Sequence, residues 1–244
     1  MRRREFVAGV TAAALLPACG GDDEASGAGG SAGTGGSGGS SGSGGASGSG
    51  GTAGSGGSCT LYPKQTEGPF YLDDDLVRAD ITEGKPGTPM KLRVRAVAAG
   101  TCAPLAGVAV DVWQCDAGGV YSGFPGQLGG LDTTGQTFLR GTQITDADGW
   151  AAFDSIYPGW YPGRTTHIHF KVRPTATTEA TSQLYFPEDV TTAVYQTPPY
   201  DARGQKNTSN AADGIAQTGG FPPTVIVTQT STGYDAELTV AVAV

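Results

Sequence analysis

This chain has few of the residues with which proteins commonly bind metals or nucleic acids. Its 244 residues include only two histidines and four cysteines, and the cysteines form no Cys-x-x-Cys pair, which argues against a typical zinc site. Basic residues are also scarce, because 15 Lys and Arg stand against 23 Asp and Glu, for a net charge of −8. A phosphate backbone repels such a chain, so we predict that it does not bind nucleic acid.

The N-terminal 58 residues lack large apolar side chains, except in one short run that ends at Leu16. Arg2 to Arg4 precede this run, which is too short to remain in a bilayer as a spanning helix. The pattern is typical of a signal peptide, and its paired arginines resemble a twin-arginine signal. Residues 16–19, LPAC, resemble a bacterial lipobox. We therefore predict lipidation at Cys19, and a plain cleaved signal with an incidental cysteine is the alternative.

Residues 20–58 consist mainly of Gly and Ser. Such a segment buries too little apolar surface to offset its ordering entropy, so we predict a disordered linker. The predicted organisation is a signal peptide (1–19), this linker (20–58) and one folded domain (59–244). The protein would be exported and held in the cell envelope by its lipid anchor, without spanning the membrane. Gly20 after the lipobox cysteine favours the outer membrane.

The predicted domain contains three cysteines: Cys59, Cys102 and Cys115. In an oxidising compartment we expect one disulfide and one remaining thiol. Cys102 and Cys115 flank a predicted strand, and the ends of an extended strand lie beyond the reach of a disulfide. A pair that includes Cys59 is therefore favoured, and the sequence leaves its partner open.

Short apolar runs separated by Gly, Pro and Asp begin at residue 90. Leu92, Val94 and Ala96 alternate with basic residues, which is typical of a half-buried strand. Further strands are predicted at 108–114, 149–154, 165–173, 183–186, 224–229 and 237–242. The only helical pattern is weak and covers 188–195. This density of short strands predicts an all-β fold, a single sandwich or barrel of mostly antiparallel strands with large loops.

The only two histidines, His167 and His169, lie two residues apart in the predicted strand 165–173. Alternate residues of a strand share a face, so both imidazoles point the same way, about 6–7 Å apart. Ile168 and Phe170 take the opposite face, which must be the core side, so the histidines should point toward covering loops. Two imidazoles so placed can bind one metal ion. Two solvated strand histidines would give the same pattern.

A metal held by two neutral imidazoles needs further donors, and the chain has no third histidine. Tyr121 and Tyr161 are candidates because both lie in glycine-rich segments. Each tyrosine alone is more typical of a loop aromatic that packs on the sheet. The nearby Asp146, Asp148 and Asp154 are better explained by turns, since Asp and Gly are frequent in turns.

Several segments in order resemble the motifs of the intradiol ring-cleavage dioxygenases. They are TEGPFY at 66–71, VWQCDAGGVYS at 112–122, TDADG at 145–149, PGWYP at 158–162, RTTHIHF at 164–170 and QLYF at 183–186. The resemblance covers about residues 60–190. It implies that a non-haem iron(III) is bound by Tyr121, Tyr161, His167 and His169. It also implies that Arg164 and Gln183 lie beside the substrate.

The same resemblance implies an enzyme that cleaves a catechol-type ring between its two hydroxylated carbons with O2, giving a muconate-type diacid. Phenolate is a hard anionic donor that suits iron(III), and the cation at Arg164 would stabilise negative charge on the bound ring. Only five residues separate Tyr161 from His167, fewer than is usual in the family, which predicts a more open site. The Gly/Ser linker replaces the family's helical dimerisation segment, so any dimer would use the sandwich itself.

Two other functions fit parts of the pattern. The segments 104–108, 145–149 and 158–161 are also typical of transthyretin-like sandwiches, which would serve here as lipid-tethered binding modules. A zinc or copper protein built on His-x-His would lack its remaining soft or carboxylate donors. The four predicted donors discriminate between these functions, because a binding module has no reason to keep all of them together.

Overall fold

The computed structural model describes residues 59–244, and the predicted signal peptide and linker lie outside the described residues. No helix among these residues has the length and apolar character that crossing a membrane requires. The regular elements, in chain order, are β1 (Pro89–Ala98), β2 (Ala109–Trp113), β3 (Arg140–Ile144), β4 (Trp150–Ile156), β5 (His167–Arg173), β6 (Ala180–Tyr185), α1 (Glu188–Val194), β7 (Ile226–Gln229) and β8 (Tyr234–Val242), with short 3-10 helices at Leu128–Gly130 and Tyr200–Ala202.

The strands of the described region form two four-stranded sheets. Their orders are β4-β1-β8-β7 and β3-β2-β5-β6. The strand pairings are antiparallel, except that β1 and β8 run parallel. This arrangement confirms the predicted all-β sandwich of mostly antiparallel strands.

The core lies between the sheets and is built by alternate residues of each strand. Leu92 and Val94 of β1 and Ile168, Phe170 and Val172 of β5 are all fully buried in it. Burying a side chain of this size contributes about 1.5–3 kcal/mol. A slip of one residue in β5 would replace its core residues by histidines and a lysine, so the packing fixes the register that places the histidines on the outer face.

Two local features differ from the sequence predictions. Strand β3 was not predicted, because its sequence RGTQI contains a single large apolar residue. It is an edge strand held by its pairing with β2. Asp154 lies within β4 rather than in a turn, and its carboxylate is 3.2 Å from Lys91 Nζ. Asp146 does form the predicted turn, since its side chain accepts hydrogen bonds from the backbone N–H of Asp148 and Trp150 at 3.0 and 2.8 Å.

One disulfide joins Cys59 to Cys102, with a Cα–Cα distance of 5.3 Å. The prediction that the pair includes Cys59 is therefore confirmed. Cys115 is a buried free thiol among the described residues. The disulfide attaches the beginning of the domain to the turn that follows β1, and residues 66–71 then lie over the outer face of the second sheet.

Candidate metal and substrate site

The two histidines lie on the outer face of β5, opposite the core residues of the same strand. His169 is paired across the sheet with Trp113 on β2 and with Gln183 on β6. His167 is paired with Tyr185. Both imidazoles are almost fully buried, with 2% and 1% of their surface exposed. Loops therefore cover them, as the sequence predicts, and the alternative of two solvated histidines is wrong.

Tyr121 and Tyr161 come from two loops that pack against each other. Asp116 organises the first loop, because its Oδ1 accepts hydrogen bonds from the backbone N–H of Gly118 and Val120, each at 3.0 Å. Its carbonyl oxygen accepts a third from Gly159 N–H in the second loop, at 3.1 Å. The two loops are thus joined at their bases, and both phenols reach the face that carries the histidines.

Three of the four predicted donor atoms meet at one point. Tyr121 Oη lies 3.3 Å from His167 Nε2, and Tyr161 Oη lies 3.2 Å from the same nitrogen. These separations are within the range of hydrogen bonds between a phenol hydroxyl and an imidazole nitrogen. Donors about 2.0–2.1 Å from one shared ion lie roughly 3 Å apart. The same spacing therefore also fits donors that share one cation.

The His169 ring lies beside this group. Its ring centroid is 4.9 Å from that of His167 and 6.1 Å from that of Tyr121. Its Nδ1 is buried without a hydrogen-bond partner. Buried polar atoms are nearly always paired, so an unpaired imidazole nitrogen fits a side chain whose natural partner is a group other than protein. Among residues 59–244, no cluster of three or more His, Cys, Asp or Glu could hold a metal, so a metal here requires the tyrosines.

The protonation states suit the histidines as neutral ligands. Burial and the nearby Arg164 lower the pKa of His167 to about 3. Burial, then the positive charges that His167 and Arg164 can carry, lowers the pKa of His169 well below its usual value. His167 Nδ1 lies 2.7 Å from the carbonyl oxygen of Thr165, which assigns the ring proton to Nδ1. The Nε2 lone pair therefore faces the two phenols.

The phenols are harder to ionise than free tyrosine. Burial raises the pKa of Tyr121 well above 10 and also raises the pKa of Tyr161, where the positive charge of Arg164 partly opposes the effect. Both phenols are therefore protonated at neutral pH unless a cation displaces the protons. Of the two, Tyr161 is the more exposed, with Tyr121 fully buried.

Two aromatic rings and the segment around one glycine pack against the donor side chains. Phe70 stacks on Tyr121 with a centroid distance of 4.4 Å, and Trp113 stacks on His169 at 5.0 Å. Gly68 has a φ of +71°, and a Cβ there would lie 3.1 Å from His169 Cε1, so the absence of a side chain lets the covering segment approach. Tyr161 and Arg164 are only half-buried, whereas Tyr121, His167 and His169 are fully buried.

Arg164 and Gln183 lie beside the donors. Arg164 Nη2 donates to Gln183 Oε1 at 2.5 Å. Its Nη1 lies 3.5 Å from Tyr161 Oη and 3.4 Å from His167 Nε2. The positive charge of the guanidinium is therefore adjacent to the more exposed phenol.

Sequence reasoning missed several residues that shape the site. Asp213 forms an ion pair with Arg164 Nε at 2.9 Å, although 49 residues separate them. Trp113 and Phe70 pack on donor side chains, and both lie within the segments that carry the resemblance. Their positions in those segments were therefore a usable signal. Asp213 lies beyond residue 190, in a part of the sequence where no motif was recognised. No sequence signal therefore pointed to it.

Residues 62–196 match a sequence family described as Dioxygenase, which is more than half of the chain. With the sandwich and the predicted motifs in order, this match shows that the chain belongs to the intradiol ring-cleavage dioxygenase family. The resemblance carried by the sequence motifs is confirmed.

Individual relatives agree with the family assignment. The chain is 32% identical over 141 residues to a catechol 1,2-dioxygenase of Candida albicans, covering 48% of this chain and 45% of that protein. It is 29% identical over 141 residues to a chlorocatechol 1,2-dioxygenase of a Pseudomonas species, covering 49% of this chain and 53% of that protein. The chain thus spans about half the length of these two relatives.

Solved structures share the fold over most of their length. An intradiol ring-cleavage dioxygenase from Tetranychus urticae has a TM-score of 0.71 and 29% identity, covering 76% of this chain and 95% of that chain. The dioxygenase domain of a dioxygenase carbohydrate-binding protein fusion from Streptomyces sp. SirexAA-E has a TM-score of 0.55 and 30% identity, covering 75% and 99%.

Proposed function

We propose that this protein is a non-haem iron(III) dioxygenase that opens a catechol-type ring between its two hydroxylated carbons. The observation that carries the proposal is the convergence of two phenol oxygens on one imidazole nitrogen, at 3.2 and 3.3 Å, beside a second buried imidazole. Tyr121, Tyr161, His167 and His169 would hold the iron. Two anionic oxygens and two neutral nitrogens match the preference of a hard trivalent cation. When bound, iron(III) would supply a Lewis-acidic centre for a catecholate.

The side chains around the donors have separate tasks. Tyr161 is the more exposed phenol, so its Oη is placed to accept a proton from an incoming catechol hydroxyl. Arg164 Nη1, 3.5 Å from that oxygen, stabilises negative charge on the phenol or on the bound ring. Phe70 stacks on Tyr121 and Trp113 stacks on His169, on the side of the site away from Arg164, where both rings exclude water.

The overall reaction balances without a further reductant. The bond between the two hydroxylated ring carbons breaks, and each of these carbons receives one oxygen atom of O2. Catechol and O2 together thus become a muconate-type diacid, with both protons retained by the two carboxyl groups or released to solvent. The ring supplies all the electrons.

Two other functions account less well for the site. A tethered binding module would have no use for a buried imidazole directed at two phenols beside a second buried imidazole. A zinc or copper protein would have the two histidines, but residues 59–244 offer no carboxylate or thiolate cluster to complete it. The family assignment and the donor geometry both favour the enzyme.

Oxygen-isotope labelling tests the proposal. The purified protein, loaded with iron, should convert catechol under 18O2 to a diacid with one labelled oxygen in each carboxyl group. Its visible colour should come from phenolate-to-iron charge transfer and should change when catechol is added without O2. A colourless protein that holds stoichiometric zinc and releases no ring-opened product would rule the enzyme out.

Export and lipid anchoring are a separate proposal. They rest on the arginines, the apolar run and the Cys19 lipobox within residues 1–58, and an oxidising compartment would suit the Cys59–Cys102 disulfide. Cys19→Ser should leave an unlipidated form that mass spectrometry distinguishes from the acylated protein. An identical mass before and after Cys19→Ser, apart from the substituted atom, would contradict the anchor.

A further inference from the structure

We propose that Asp213 is a positioning residue that fixes the direction of the Arg164 guanidinium toward Tyr161 and His167. The inference rests on the proposed function, because that function assigns the bound ring to Arg164. Asp213 lies between α1 and β7, outside the segments that resemble the family motifs, and it is 1% exposed.

The Asp213 carboxylate accepts four hydrogen bonds, two on each oxygen. Its Oδ2 accepts from Arg164 Nε at 2.9 Å and from Thr165 N–H at 2.8 Å. Its Oδ1 accepts from the backbone N–H of Ile215 and Ala216 at 2.9 and 3.1 Å. A buried carboxylate with this many donors is held rigidly and remains ionised. It is therefore a fixed acceptor for one edge of the guanidinium.

A guanidinium is planar, so two fixed nitrogens determine the direction of the third. Asp213 holds Nε of Arg164, and Gln183 Oε1 holds Nη2 at 2.5 Å. Nη1 is then directed toward Tyr161 Oη at 3.5 Å and His167 Nε2 at 3.4 Å. Removing either anchor would let the planar group rotate, because its side chain has several free torsions.

The second anchor is itself connected to the turn that contains Asp213. Gln183 Nε2 donates to the carbonyl oxygen of Thr66 at 2.9 Å. Tyr185 Oη donates to Gln65 Oε1 at 2.7 Å and lies 3.1 Å from Gln183 Oε1. Gln65 Nε2 then donates to the carbonyl oxygen of Ala216 at 3.2 Å. This closed ring of hydrogen bonds keeps both anchors of the guanidinium in a constant relation.

The test uses Asp213→Asn in the iron-loaded protein, since the amide keeps the size of the carboxylate but weakens its acceptance from Arg164 Nε. Misplacement of a charged group by about 1 Å can cost about 100-fold in rate, so we expect kcat to fall about 10- to 100-fold. KM and the anaerobic Kd for catechol, followed by absorbance, should change less than about threefold. Iron content should stay at the wild-type level.

Asn210→Ala is the matched control for loosening of the same loop. Asn210 Oδ1 accepts a hydrogen bond from Thr165 Oγ1 at 2.7 Å and its Nδ2 donates to Phe186 O at 2.9 Å, without contact to Arg164. This variant should lower the Tm of the metal-free protein as Asp213→Asn does, but keep its wild-type kcat. An equal loss of kcat in both variants would overturn the inference, because loop stability alone would then explain it.

A double-mutant cycle with Arg164→Gln separates the remaining outcomes. If Asp213 acts through Arg164, adding Asp213→Asn to Arg164→Gln should have no further effect on kcat. Additive losses would overturn the inference. So would tighter anaerobic catechol binding with unchanged kcat, since that result would mean that Asp213 only neutralises charge. Wild-type protein without iron or ring cleavage would instead overturn the proposed function and, with it, this inference.

Discussion

Gly119 packs directly on the carbonyl group of Trp160, so that a Cβ atom on Gly119 would lie 2.1 Å from that oxygen. Gly119 and Trp160 are each close in sequence to a predicted ligand. Tyr121 follows Gly119 by two positions, and Tyr161 follows Trp160 directly. The close approach of these two backbones therefore sets the distance between the two phenols.

Gly119→Ala should separate the phenols and weaken the site. The new methyl group would clash with the Trp160 carbonyl and would also occupy a backbone conformation at φ +84° that strains L residues. We expect the free energy of unfolding to fall by about 2 kcal/mol or more. Iron content at limiting iron should fall with it.

Gly126→Ala is the control for that substitution. Gly126 has a φ of +72°, but a Cβ atom added to it would meet no other atom within 4 Å. It should therefore show the cost of backbone strain alone, about 1 kcal/mol, with wild-type iron content. Equal iron loss in the two variants, measured by elemental analysis, would contradict the role of the Gly119–Trp160 contact.

Removing one phenol oxygen should remove a ligand without changing the packing much. Tyr161→Phe and Tyr121→Phe should each lower iron affinity by more than the roughly 10- to 100-fold that loss of an outer-shell partner costs. The charge-transfer band should weaken at the same time. Tyr234→Phe is the matched control, because Tyr234 packs against Tyr157 away from the donors. Full colour in Tyr161→Phe would remove it from the ligand set.

Iron affinity should rise with pH because the phenols must lose their protons. Burial raises the pKa of both tyrosines, so both are protonated in the metal-free protein at neutral pH. The histidines are already neutral, since the pKa of His167 is about 3 and that of His169 is far below its usual value. Binding should therefore release about two protons, and log K should rise by about two per pH unit between about pH 5 and 8.

Competition with a chelator of known pH dependence measures this slope. In Tyr161→Phe the slope should fall to about one, because a single phenol remains to be ionised. A slope near zero in the wild-type protein would mean that the phenols are not ligands.

The Cys59–Cys102 disulfide should contribute to stability without contributing to chemistry. It spans 43 residues, and closing a loop of that length stabilises the folded state by about 2–4 kcal/mol. Replacing both cysteines by serine should lower the free energy of unfolding in urea by that amount. Dithiothreitol should destabilise the wild-type protein equally and leave the double variant unchanged. If dithiothreitol destabilised the double variant as well, the loss of stability in the wild-type protein would not come from reduction of this disulfide.

The sequence predicted the parts of the fold that depend on local periodicity. Alternation in residues 165–173 predicted both the core face of β5 and the shared face of His167 and His169. The register of β2 and β6 brings Trp113 and Gln183 beside His169. This register could not be predicted from the sequence, because strand pairing depends on contacts between segments that are distant in the chain. Strand β3 escaped prediction for the same reason, since pairing with β2 and not its own pattern holds it.

The partners of site residues were the hardest feature to predict. Arg164 was recognised from its motif, but nothing near it indicated Asp213, because ion pairs between distant segments leave no periodic pattern. The covering of the donors by residues 66–71, whose Phe70 packs on Tyr121, could not be predicted either, because it joins segments about 50 residues apart in the chain.

The parallel pairing of β1 with β8 has a consequence for biosynthesis. β8 follows all the other strands of the described region in the chain, yet it lies between β1 and β7 in its sheet. A ribosome-bound chain can form the second sheet early, but the first sheet lacks a central member until residues 234–242 have left the ribosome. Assembly of the sandwich, and with it any loading of metal, must therefore wait for that segment. A substitution or truncation that perturbs β8 would prevent folding of the whole sandwich, because β8 is a central strand and not an edge strand.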